Sequence, residues 1–411
     1  MIWKLKPFRY LWAGAAASEA GGALGTFCNS IMVYELTGSK LALGSMWLLY
    51  YLPSLILQLI SGPFIDKWSR KWIMIVSQWT RSLFFLLPFV MISTGQLEVW
   101  HIYAAQIAVG LVSPFYVPAS QALLPSLIKG DSLQSANAVL DGTVRLLSMI
   151  VPMTGGFVIE RAGAEVSLLF VTSFLLISGS FLLFIAEPAE EERTIRKTWL
   201  AEFKEGIFYY IRNPLLLWLG IFLAFVQLGV GAAMVLNLPY ITDELSESYS
   251  SYGLFMAGFP VGYLAGTLLI GKVRISNRRT AMLGALMAGG STYILLALNA
   301  NFAAAVVIEA AAGIFMAFFN IQSTVIYQQT VPDHLRGKVF SARLFIIRGA
   351  MPFGVLAGST LGSLWGVRPV FFLMGTLICA ASAAGLLHPY FAFLNGQSEY
   401  QEQGTEPDKP A

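Results

Sequence analysis

Long apolar stretches, separated by short segments of charged and turn-forming residues, recur along the whole chain of 411 residues. A helix needs about 20 apolar residues to cross the hydrocarbon core of a bilayer, so each stretch predicts one membrane span. The predicted spans lie at residues 11–34, 42–65, 72–94, 102–124, 134–159, 167–186, 215–241, 252–271, 280–298, 302–328, 338–365 and 369–391. The predicted fold class is therefore an all-α polytopic membrane protein with twelve transmembrane helices.

Composition excludes an ordinary soluble protein. Hydrophobic residues make up 56% of the chain and charged residues 12%, and the mean hydropathy is +0.66, which is far above the value of soluble domains. The net charge of +3 is too small to suggest a nucleic-acid partner. Cys28 and Cys379 lie far apart in apolar surroundings, which excludes a disulfide framework and a CxxC site.

Basic residues are distributed unequally between the two sides of the predicted membrane. Most of the 26 lysines and arginines fall on the side of the N-terminus and the central linker, whereas Lys40, Arg161 and Arg368 fall on the opposite side. Cytoplasmic loops of membrane proteins carry the excess of Lys and Arg. Both termini and the linker are therefore predicted to be cytoplasmic, with the protein in the cell membrane.

A hydrophilic interruption divides the chain into two groups of six spans. The interruption covers residues 187–213 and separates a predicted N-terminal half, 1–186, from a predicted C-terminal half, 214–391. Residues 392–411 are polar and contain proline, so we expect a disordered cytoplasmic tail. Two six-helix bundles around a central cavity are the architecture of a rocking transporter.

Short motifs recur in the two halves at a nearly constant offset, which indicates duplication and predicts pseudo-symmetry. The segment PSLIKG returns as PDHLRG 207 residues later, and the basic pair Arg70-Lys71 returns as Arg278-Arg279 after 208 residues.

The linker contains a predicted amphipathic helix. Trp199, Phe203, Ile207 and Tyr210 follow helical spacing, while charged residues lie off that stripe. Such a helix is expected to lie on the inner surface of the membrane. Two roles stay open for it: a tether between the halves and a regulatory docking element.

The segment GPFIDKWSRK follows the second span, and its important positions are Gly62, Asp66, Arg70 and Lys71. It resembles the G-x-x-x-D-R-x-G-R-R/K signature between helices 2 and 3 of the major facilitator superfamily, with Lys67 in place of Arg and Ser69 in place of the second Gly. The resemblance implies that Asp66 faces the start of helix 11, near Gly337 and Lys338, and helps to close a cytoplasmic gate. The alternative is a cationic membrane anchor with an incidental acid. The second copy of the motif, GKVRISNRRT, has Arg274 at the position of the acid, so the corresponding gate contact in the second half is expected to be weak.

A second motif ends the fifth span. In VPMTGGFVIE, the residues Pro152, Gly155 and Gly156 match the G-P-x-x-G-G antiporter motif of the same superfamily, although Val151 replaces the leading Gly. Proline removes a backbone donor and glycines permit close helix approach, so a bend and a tight seam are expected. The resemblance favours export over uptake. A kinked helix with ordinary small-residue packing is the alternative.

Four further segments narrow the resemblance. YELTGSKLALG, IVSQWTRSL, FKEGIFYYIRNPLL and PDHLRGKVFS are similar to the branch of the superfamily that contains macrolide efflux proteins and the enterobactin exporter. The similarity covers most of residues 7–390, and it implies an efflux transporter without implying its substrate.

Ionisable residues inside the predicted spans are candidates for function, because a charge at the centre of a bilayer costs roughly 2.5 to 3.5 kcal/mol even on the mildest scale. They are Glu19, Arg81, Asp141, Arg145, Glu309, Arg343 and Arg348. Glu19 is the first candidate for coupling to protons or cations, and related exporters often carry an acid at the matching place. Asp141 is the second, since Arg145 lies four residues further along the same helical face and can pair with it.

Glu309 is the third coupling candidate, with an external gate as its alternative role. Arg81, Arg145 and Arg348 are predicted charge partners within the membrane. An alternative for three of these residues is structural: Asp141, Arg145 and Arg81 would form a buried network that holds helices in register.

Polar and aromatic residues within the spans are candidates for lining a substrate cavity. The candidates are Phe27, Gln58, Gln227, Asn237, Asn320 and Gln322. The aromatic residues Trp47, Phe115, Phe255 and Phe318 provide further stacking area, although such residues more often face lipid or neighbouring helices. An interior rich in aromatic residues and Met favours a bulky amphipathic ligand.

Taken together, these features predict a secondary active exporter that exchanges protons for an amphipathic compound through alternating access of its two halves. A dedicated exporter of one product, such as a siderophore or lipid, and a receptor that does not transport stay as alternatives. An enzyme is not expected, since the three histidines lie near span ends and no P-loop or metal-ligand spacing occurs. No cofactor is expected, and the protein is expected to act as a monomer.

Removal of the polar tail is expected to leave transport intact, because the tail contains none of the predicted spans or motifs. The test compares efflux by the full chain with efflux by a chain truncated at residue 396, at matched amounts in the membrane. Loss of efflux on truncation would refute this prediction.

Overall fold

The structure is a computed structural model that describes residues 2–130, 132–187, 199–272 and 277–395. Residues 396–411 of the predicted tail and Arg274 of the second gate motif lie outside the described residues. Residues 392–395 belong to a helical turn, Pro389–Asn395, in which Leu394 is buried, so the prediction of disorder is wrong for these four residues. The described residues are almost entirely helical and contain no β-strand.

The helices are α1 (Lys6–Thr37), α2 (Lys40–Lys67), α3 (Arg70–Ser93), α4 (Val99–Leu127), α5 (Ser132–Leu183), α6 (Trp199–Arg212), α7 (Pro214–Pro239), α8 (Tyr249–Ile270), α9 (Arg278–Leu298), α10 (Phe302–Thr330), α11 (Arg336–Trp365) and α12 (Val367–Leu387). Short helical turns lie at Ile2–Lys4, Tyr240–Glu244, Asp333–Leu335 and Pro389–Asn395. Every predicted span coincides with one of these helices within a few residues.

The fifth and sixth predicted spans are two arms of α5. They meet at Gly163, whose φ of 84° and ψ of 170° interrupt the helical backbone. Glycine adopts a positive φ without the steric cost that a side chain imposes, so the chain reverses at this residue. The loop expected between residues 159 and 167 is thereby reduced to a bend.

Length and apolar character confirm a polytopic membrane protein. Among the described residues, ten helices are long and apolar enough to cross a membrane, and α5, with 52 residues, is long enough to cross twice. The helix α1 also has sufficient length, at 32 residues, but its many Gly and Ala residues and Glu19 make it less apolar. With α1, the helices account for the twelve predicted spans.

Successive spans alternate in direction, so their ends lie on two faces. We define the linker face as the one that holds the end of α2, the start of α3 and α6, and the far face as the one where α1 ends and α2 begins. Asparagine side chains cap several helix starts: Asn213, Asn277 and Asn301 accept hydrogen bonds from backbone N–H groups of the first turns of α7, α9 and α10.

The basic pair Arg70-Lys71 joins three helices at the linker face of the first half. Arg70 Nη1 donates to the carbonyl oxygen of Ala122 in α4 at 3.0 Å. Lys71 Nζ donates to the carbonyl oxygen of Leu183, the last residue of α5, at 2.8 Å. Both contacts place a cation near the negative end of a helix, where it is favoured.

The corresponding pair in the second half makes corresponding contacts. Arg278 Nη1 donates to Gln329 Oε1 in α10 at 2.8 Å. Arg279 donates to the carbonyl oxygens of Gly385, Leu386 and His388 at the end of α12, at 2.7 to 3.0 Å. The repeat detected in the sequence is therefore also a repeat of helix-end contacts.

Glycines permit very close packing of α8 against α10. A Cβ atom built on Gly262 would overlap the carbonyl oxygen of Ala310, and one built on Gly313 would overlap the carbonyl oxygen of Phe259. Small residues at helix contacts are typical of membrane proteins, in which close backbone approach replaces hydrophobic association.

The substitution Gly262→Ala is expected to destabilise the second half by about 1–3 kcal/mol, the usual cost of overpacking. The measurement is the melting temperature of the purified protein in detergent, which should fall. Gly284→Ala in α9 is the matched control, because no heavy atom lies within 4 Å of the added Cβ, and alanine favours a helix over glycine by about 1 kcal/mol. Equal melting temperatures of the two variants would contradict the packing argument.

Candidate functional site

The motif residues at Pro152, Gly155 and Gly156 form a close seam between the two halves at the far face. A Cβ atom on Gly156 would overlap the carbonyl oxygen of Tyr249 in α8, and one on Gly253 in α8 would overlap the carbonyl oxygen of Pro152. A Cβ atom on Gly155 would instead lie 2.8 Å from Leu24 of α1. The glycines of α5 thus let α8 and α1 pack directly on its backbone.

One side chain extends this seam. Glu160 Oε2 accepts a hydrogen bond from the backbone N–H of Ser250 at 3.0 Å. Glu160 thereby ties the end of the first arm of α5 to the start of α8.

A second seam joins α2 to α7 and α11, also toward the far face. Trp47 Nε1 donates to the carbonyl oxygen of Met234 at 3.1 Å, and the Tyr51 hydroxyl donates to the sulfur of Met234 at 3.2 Å. A Cβ atom on Gly44 would overlap the side chain of Ser359 in α11.

Aromatic contacts complete the junction of the halves. The rings of Phe27 in α1 and Tyr252 in α8 stack with centroids 5.0 Å apart and planes 13° apart. The Tyr34 hydroxyl donates to Asp243 beyond the end of α7. Phe27 is 5% exposed, so the structure places it in the seam and not on an open cavity wall.

The buried cores separate toward the linker face. One core contains buried residues from both halves, including Phe27, Val235 and Phe371. A second core is built only from residues between Ile2 and Ile185, and a third only from residues between Leu219 and Leu394. The halves therefore share a core near the far face and have individual cores near the linker face.

The first gate motif is organised by a residue that the sequence did not reveal. Glu187 Oε1 accepts from the backbone N–H of Arg70 at 2.9 Å, and Glu187 Oε2 accepts from the N–H of Lys71 at 3.3 Å and from the Ser69 hydroxyl. A carboxylate at the start of a helix is favoured by the free N–H groups and the positive dipole end. Glu187 thus fixes the start of α3 to the chain after α5.

The remaining residues of this motif, Gly62 and Asp66, lie in the last turns of α2, and the side chain of Asp66 is outside the described part of the structure. Lys338 lies at the start of α11, which Asp66 was expected to face. Its Nζ donates to Glu205 Oε2 of α6 at 2.9 Å. The contact between Asp66 and the start of α11 stays a prediction.

The helix α6 docks on the second half. Tyr210 is 1% exposed and packs against Gly220 of α7, and the Tyr209 hydroxyl donates to the carbonyl oxygen of Thr330 at 3.3 Å. Phe203 meets Phe345 of α11 edge-to-face at 5.8 Å. These contacts attach α6 to the linker-face ends of α7, α10 and α11.

The first half contains a buried polar cluster around Arg81, which is 8% exposed. Arg81 Nη1 donates to Gln78 Oε1 at 3.0 Å, Gln78 Nε2 donates to the Ser178 hydroxyl at 3.2 Å, and Ser178 donates to the carbonyl oxygen of Gly14 at 2.6 Å. The chain of hydrogen bonds joins α3, α5 and α1, and it satisfies polar groups that would be costly to bury alone.

Glu19, the first coupling candidate, lies beside this cluster. Arg81 Nη2 is 2.7 Å from the place where a Cβ on Gly22 would be, one turn after Glu19 on α1. The positive charge of Arg81 acts electrostatically on the carboxyl group of Glu19. Glu19 is therefore a partly buried acid with a basic neighbour.

The predicted network of Asp141, Arg145 and Arg81 is wrong, although the pairing of the first two is confirmed. Arg145 Nε lies 2.8 Å from Asp141 Oδ2, and the two side chains are 54% and 65% exposed. The guanidinium of Arg145 lies 5.5 Å from the ring centroid of Tyr263 in α8. Arg81 faces the interior of the first half, whereas the Asp141–Arg145 pair lies between α5 and α8.

Glu309 and two predicted cavity residues come together inside the second half. Glu309, Gln227 and Asn320 line a cavity of about 290 Å³ that is bounded by α7, α8, α9, α10 and α12. Tyr263 and Tyr293 also line it. Among the described residues, no hydrogen bond or ion pair is found for the Glu309 carboxyl group. Its alternative role in an external gate stays a prediction.

The other predicted cavity residues lie elsewhere. Asn237 is 7% exposed and directs Nδ2 to the sulfur of Met256 at 3.8 Å. Gln58 and Gln322 are partly buried on α2 and α10 and do not line the cavity around Glu309.

The two arginines of α11 that lie inside the predicted span differ in environment. Arg343 is buried, donates to the Ser323 hydroxyl at 3.0 Å, and lies 5.1 Å from the ring centroid of Tyr327. Arg348 is exposed and acts electrostatically on Tyr51 of α2. Arg343 therefore stabilises the contact between α10 and α11, while Arg348 is directed toward the first half.

The residues that sequence reasoning missed are polar groups whose partners are distant in the chain: Gln78, Ser178, Glu187 and Tyr293. Of these, Gln78 had a local signal, because it lies three residues before Arg81 on the same helical face. Among the described residues, no cluster of three or more His, Cys, Asp or Glu side chains that could hold a metal ion is present.

Comparison with known proteins agrees with this arrangement. A family model described as Major Facilitator Superfamily matches residues 11–236 and 224–407. Macrolide efflux protein A of Streptococcus pyogenes is 25% identical over 409 residues, which cover 94% of this chain and 96% of that protein. The enterobactin exporter EntS of Escherichia coli is 25% identical over 292 residues, which cover 68% of this chain and 67% of that protein.

A solved structure shows the same fold. A mutant of the nucleoside transporter NupG superimposes with a TM-score of 0.74 at 13% sequence identity, and the match covers 93% of this chain and 99% of that chain.

Enlarging Gly156 is expected to open the far-face seam. The substitution Gly156→Val places a side chain against the backbone of Tyr249, and an overpacking cost of about 1–3 kcal/mol would raise the open population at least about fivefold. Opening is measured with the substitution Tyr252→Cys in a chain in which Cys28 and Cys379 are both changed to Ala. An impermeant maleimide is added at the far face, and the rate at which it labels the new thiol reports how often the seam opens.

The matched control is Gly142→Val on the same arm of α5, where no heavy atom lies within 4 Å of the added Cβ. Labelling should accelerate with Gly156→Val and stay unchanged with Gly142→Val. Equal labelling rates in the two variants would show that the seam does not depend on close contact at Gly156.

Proposed function

The chain belongs to the Major Facilitator Superfamily, and from this premise we propose that it exports amphipathic compounds from the cytoplasm in exchange for protons. The proposed orientation has the linker face in the cytoplasm, which agrees with the excess of Lys and Arg on that side. The proposed location is the plasma membrane. The protein is a multi-pass membrane transporter, and transport would proceed by alternate exposure of a central cavity to the two faces.

The direction of transport is supported by two observations. The residues matching the antiporter motif, Pro152, Gly155 and Gly156, form the close contact between the halves at the far face. The chain is also similar over most of its length to a protein described as macrolide efflux protein A. Both observations favour export over uptake.

The observation that carries the proposal is Glu309. A carboxyl group in the membrane interior is costly as a lone anion, so it must be neutralised by a proton or by a cation. Glu309 lines a cavity and has no basic partner among the described residues. It can therefore hold a proton in one state and release it in another, as exchange requires.

Glu19 is the second candidate for this role. The charge of Arg81 acts on Glu19, so Glu19 has a basic neighbour that Glu309 lacks among the described residues. Asp141 is bound to Arg145 at 2.8 Å, so its charge is also compensated within the protein. We therefore assign the exchange of protons first to Glu309.

A dedicated exporter of one cell-made product is the second candidate function. It is favoured by the similarity to the enterobactin exporter over 68% of this chain. A pump of broad specificity should accept several unrelated compounds, whereas a dedicated exporter should accept one.

The experiment uses inside-out vesicles with a proton gradient and measures the uptake of a panel of cationic dyes and macrolides. Uptake by the unaltered chain should depend on the gradient. Glu309→Gln should lower this uptake at least about tenfold, which corresponds to about 1.4 kcal/mol, while Glu19→Gln should keep gradient dependence. Asp333→Asn is the control, because its side chain is 86% exposed, pairs with Arg336 in the same turn and lies outside the Glu309 cavity; it should keep uptake that depends on the gradient.

Three outcomes contradict parts of the proposal. Normal gradient-dependent uptake by Glu309→Gln together with loss in Glu19→Gln would transfer the role to Glu19. Uptake that does not depend on the proton gradient would exclude proton exchange. Uptake of none of the compounds by the unaltered chain would exclude broad specificity and favour the dedicated exporter.

A further inference from the structure

We infer that the cavity around Glu309 is a binding site for the ammonium end of a cationic amphipathic substrate. The inference rests on the proposed function, because it specifies which part of an exported compound enters the second half. The cavity lies within this half, among α7 to α10 and α12, and not at the central junction between the halves.

The carboxyl group supplies the charge for recognition. Glu309 is located eight residues into α10 from the far face, in a region of apolar helices, and no hydrogen bond or ion pair to it occurs among the described residues. A buried charge without a partner is destabilising, and a bound cation removes that cost. The cavity therefore favours a positively charged ligand over a neutral one of the same shape.

Aromatic rings supply the second feature of a cation site. Phe259, Tyr263, Tyr293 and Phe315 come from three helices, α8, α9 and α10, and all line the same cavity as Glu309. The faces of aromatic rings attract cations, and this attraction increases when water is excluded. A quaternary or tertiary ammonium group has the apolar surface and the charge that suit rings and a carboxylate together.

Size restricts the ligand further. The cavity has a volume of about 290 Å³, which is at the lower end of the range for whole drug-sized ligands, roughly 300 to 1,000 Å³. It accommodates one end of an amphipathic compound. The side-chain amides of Gln227 and Asn320 add polar groups that can orient a substituent beside the ammonium group.

Access to the cavity is indicated by Tyr263. Its ring lines the cavity and also lies 5.5 Å from the guanidinium of Arg145 on the first half. Tyr263 thus stands between the Glu309 cavity and the space between α5 and α8. The charge of Arg145 is compensated by Asp141 at 2.8 Å, so it does not oppose the approach of a cation.

The test measures binding of benzyltrimethylammonium to the purified full chain in detergent by calorimetry. This probe keeps its charge at every pH, so its binding is not confused with proton uptake by the ligand. Glu309→Gln should weaken binding at least about tenfold, and Tyr293→Leu should weaken it about threefold, whereas Tyr293→Phe should not. Asp333→Asn removes an exposed negative charge from the same half and should leave binding unchanged.

A variant with an added charge keeps the test decisive if Glu309→Gln does not fold. Asn320→Asp introduces a second carboxylate into the cavity and should tighten binding of the probe. In the double variant with Glu309→Gln, it should restore part of the lost affinity. Such rescue is not expected if Glu309 only supports the fold.

Two results would overturn the inference: no binding of the probe by the unaltered chain, and equal binding by the unaltered chain and a folded Glu309→Gln variant. Neither result depends on the vesicle experiment. Proton-driven export without binding of the probe would support the proposed function and exclude this binding site. Binding of the probe without export would support the binding site and contradict the proposed function.

Discussion

Close approach of helix backbones at glycine residues is the constraint on which this structure depends. Lipid tails are as apolar as the helix surfaces, so helices associate through tight packing and not through the exclusion of water. The helix α8 shows the consequence most clearly. Its Gly253 lies against Pro152 of the first half, and its Gly262 lies against Ala310 of α10. One helix is thereby fixed both to the seam between the halves and to the helix that carries Glu309.

The distribution of charged residues also follows from the lipid surroundings, in which a charge without a partner is costly. In the first half, Arg81 is held by Gln78 and acts on Glu19, and Asp141 is paired with Arg145. Each of these groups has a hydrogen-bond partner or a neighbour of opposite charge within the protein. Glu309 differs, since the described residues that surround it are aromatic, apolar or uncharged polar groups. This difference supports the proposed role of Glu309 in exchange.

Features that depend on neighbouring residues were predictable from the sequence, and features that depend on distant residues were not. The spans follow from apolar length, and the Asp141–Arg145 pair follows from its spacing along one helix. The alternative that joined Arg81 to Asp141 and Arg145 is wrong, because the rotation of α3 and α5, which decides which of their side chains meet, cannot be derived from the sequence. The cavity around Glu309 requires the arrangement of five helices, and Tyr293 has no local signal that separates it from a lipid-facing tyrosine. A loop was expected between residues 159 and 167, and the bend at Gly163 that replaces it depends on a positive φ, which cannot be recognised in the sequence.

The position of Tyr252 connects the cavity with the seam. Glu309 acts electrostatically on Tyr252, and the ring of Tyr252 stacks on Phe27 of the first half at 5.0 Å. Coupling between a binding site and a gate requires an element that both sites influence. Tyr252, Gly253 and Tyr263 all belong to α8, which therefore contacts the seam at one end and the cavity along its length. The Glu309 cavity and the far-face seam therefore share one helix, through which the proposed exchange at Glu309 would be coupled to opening of the seam.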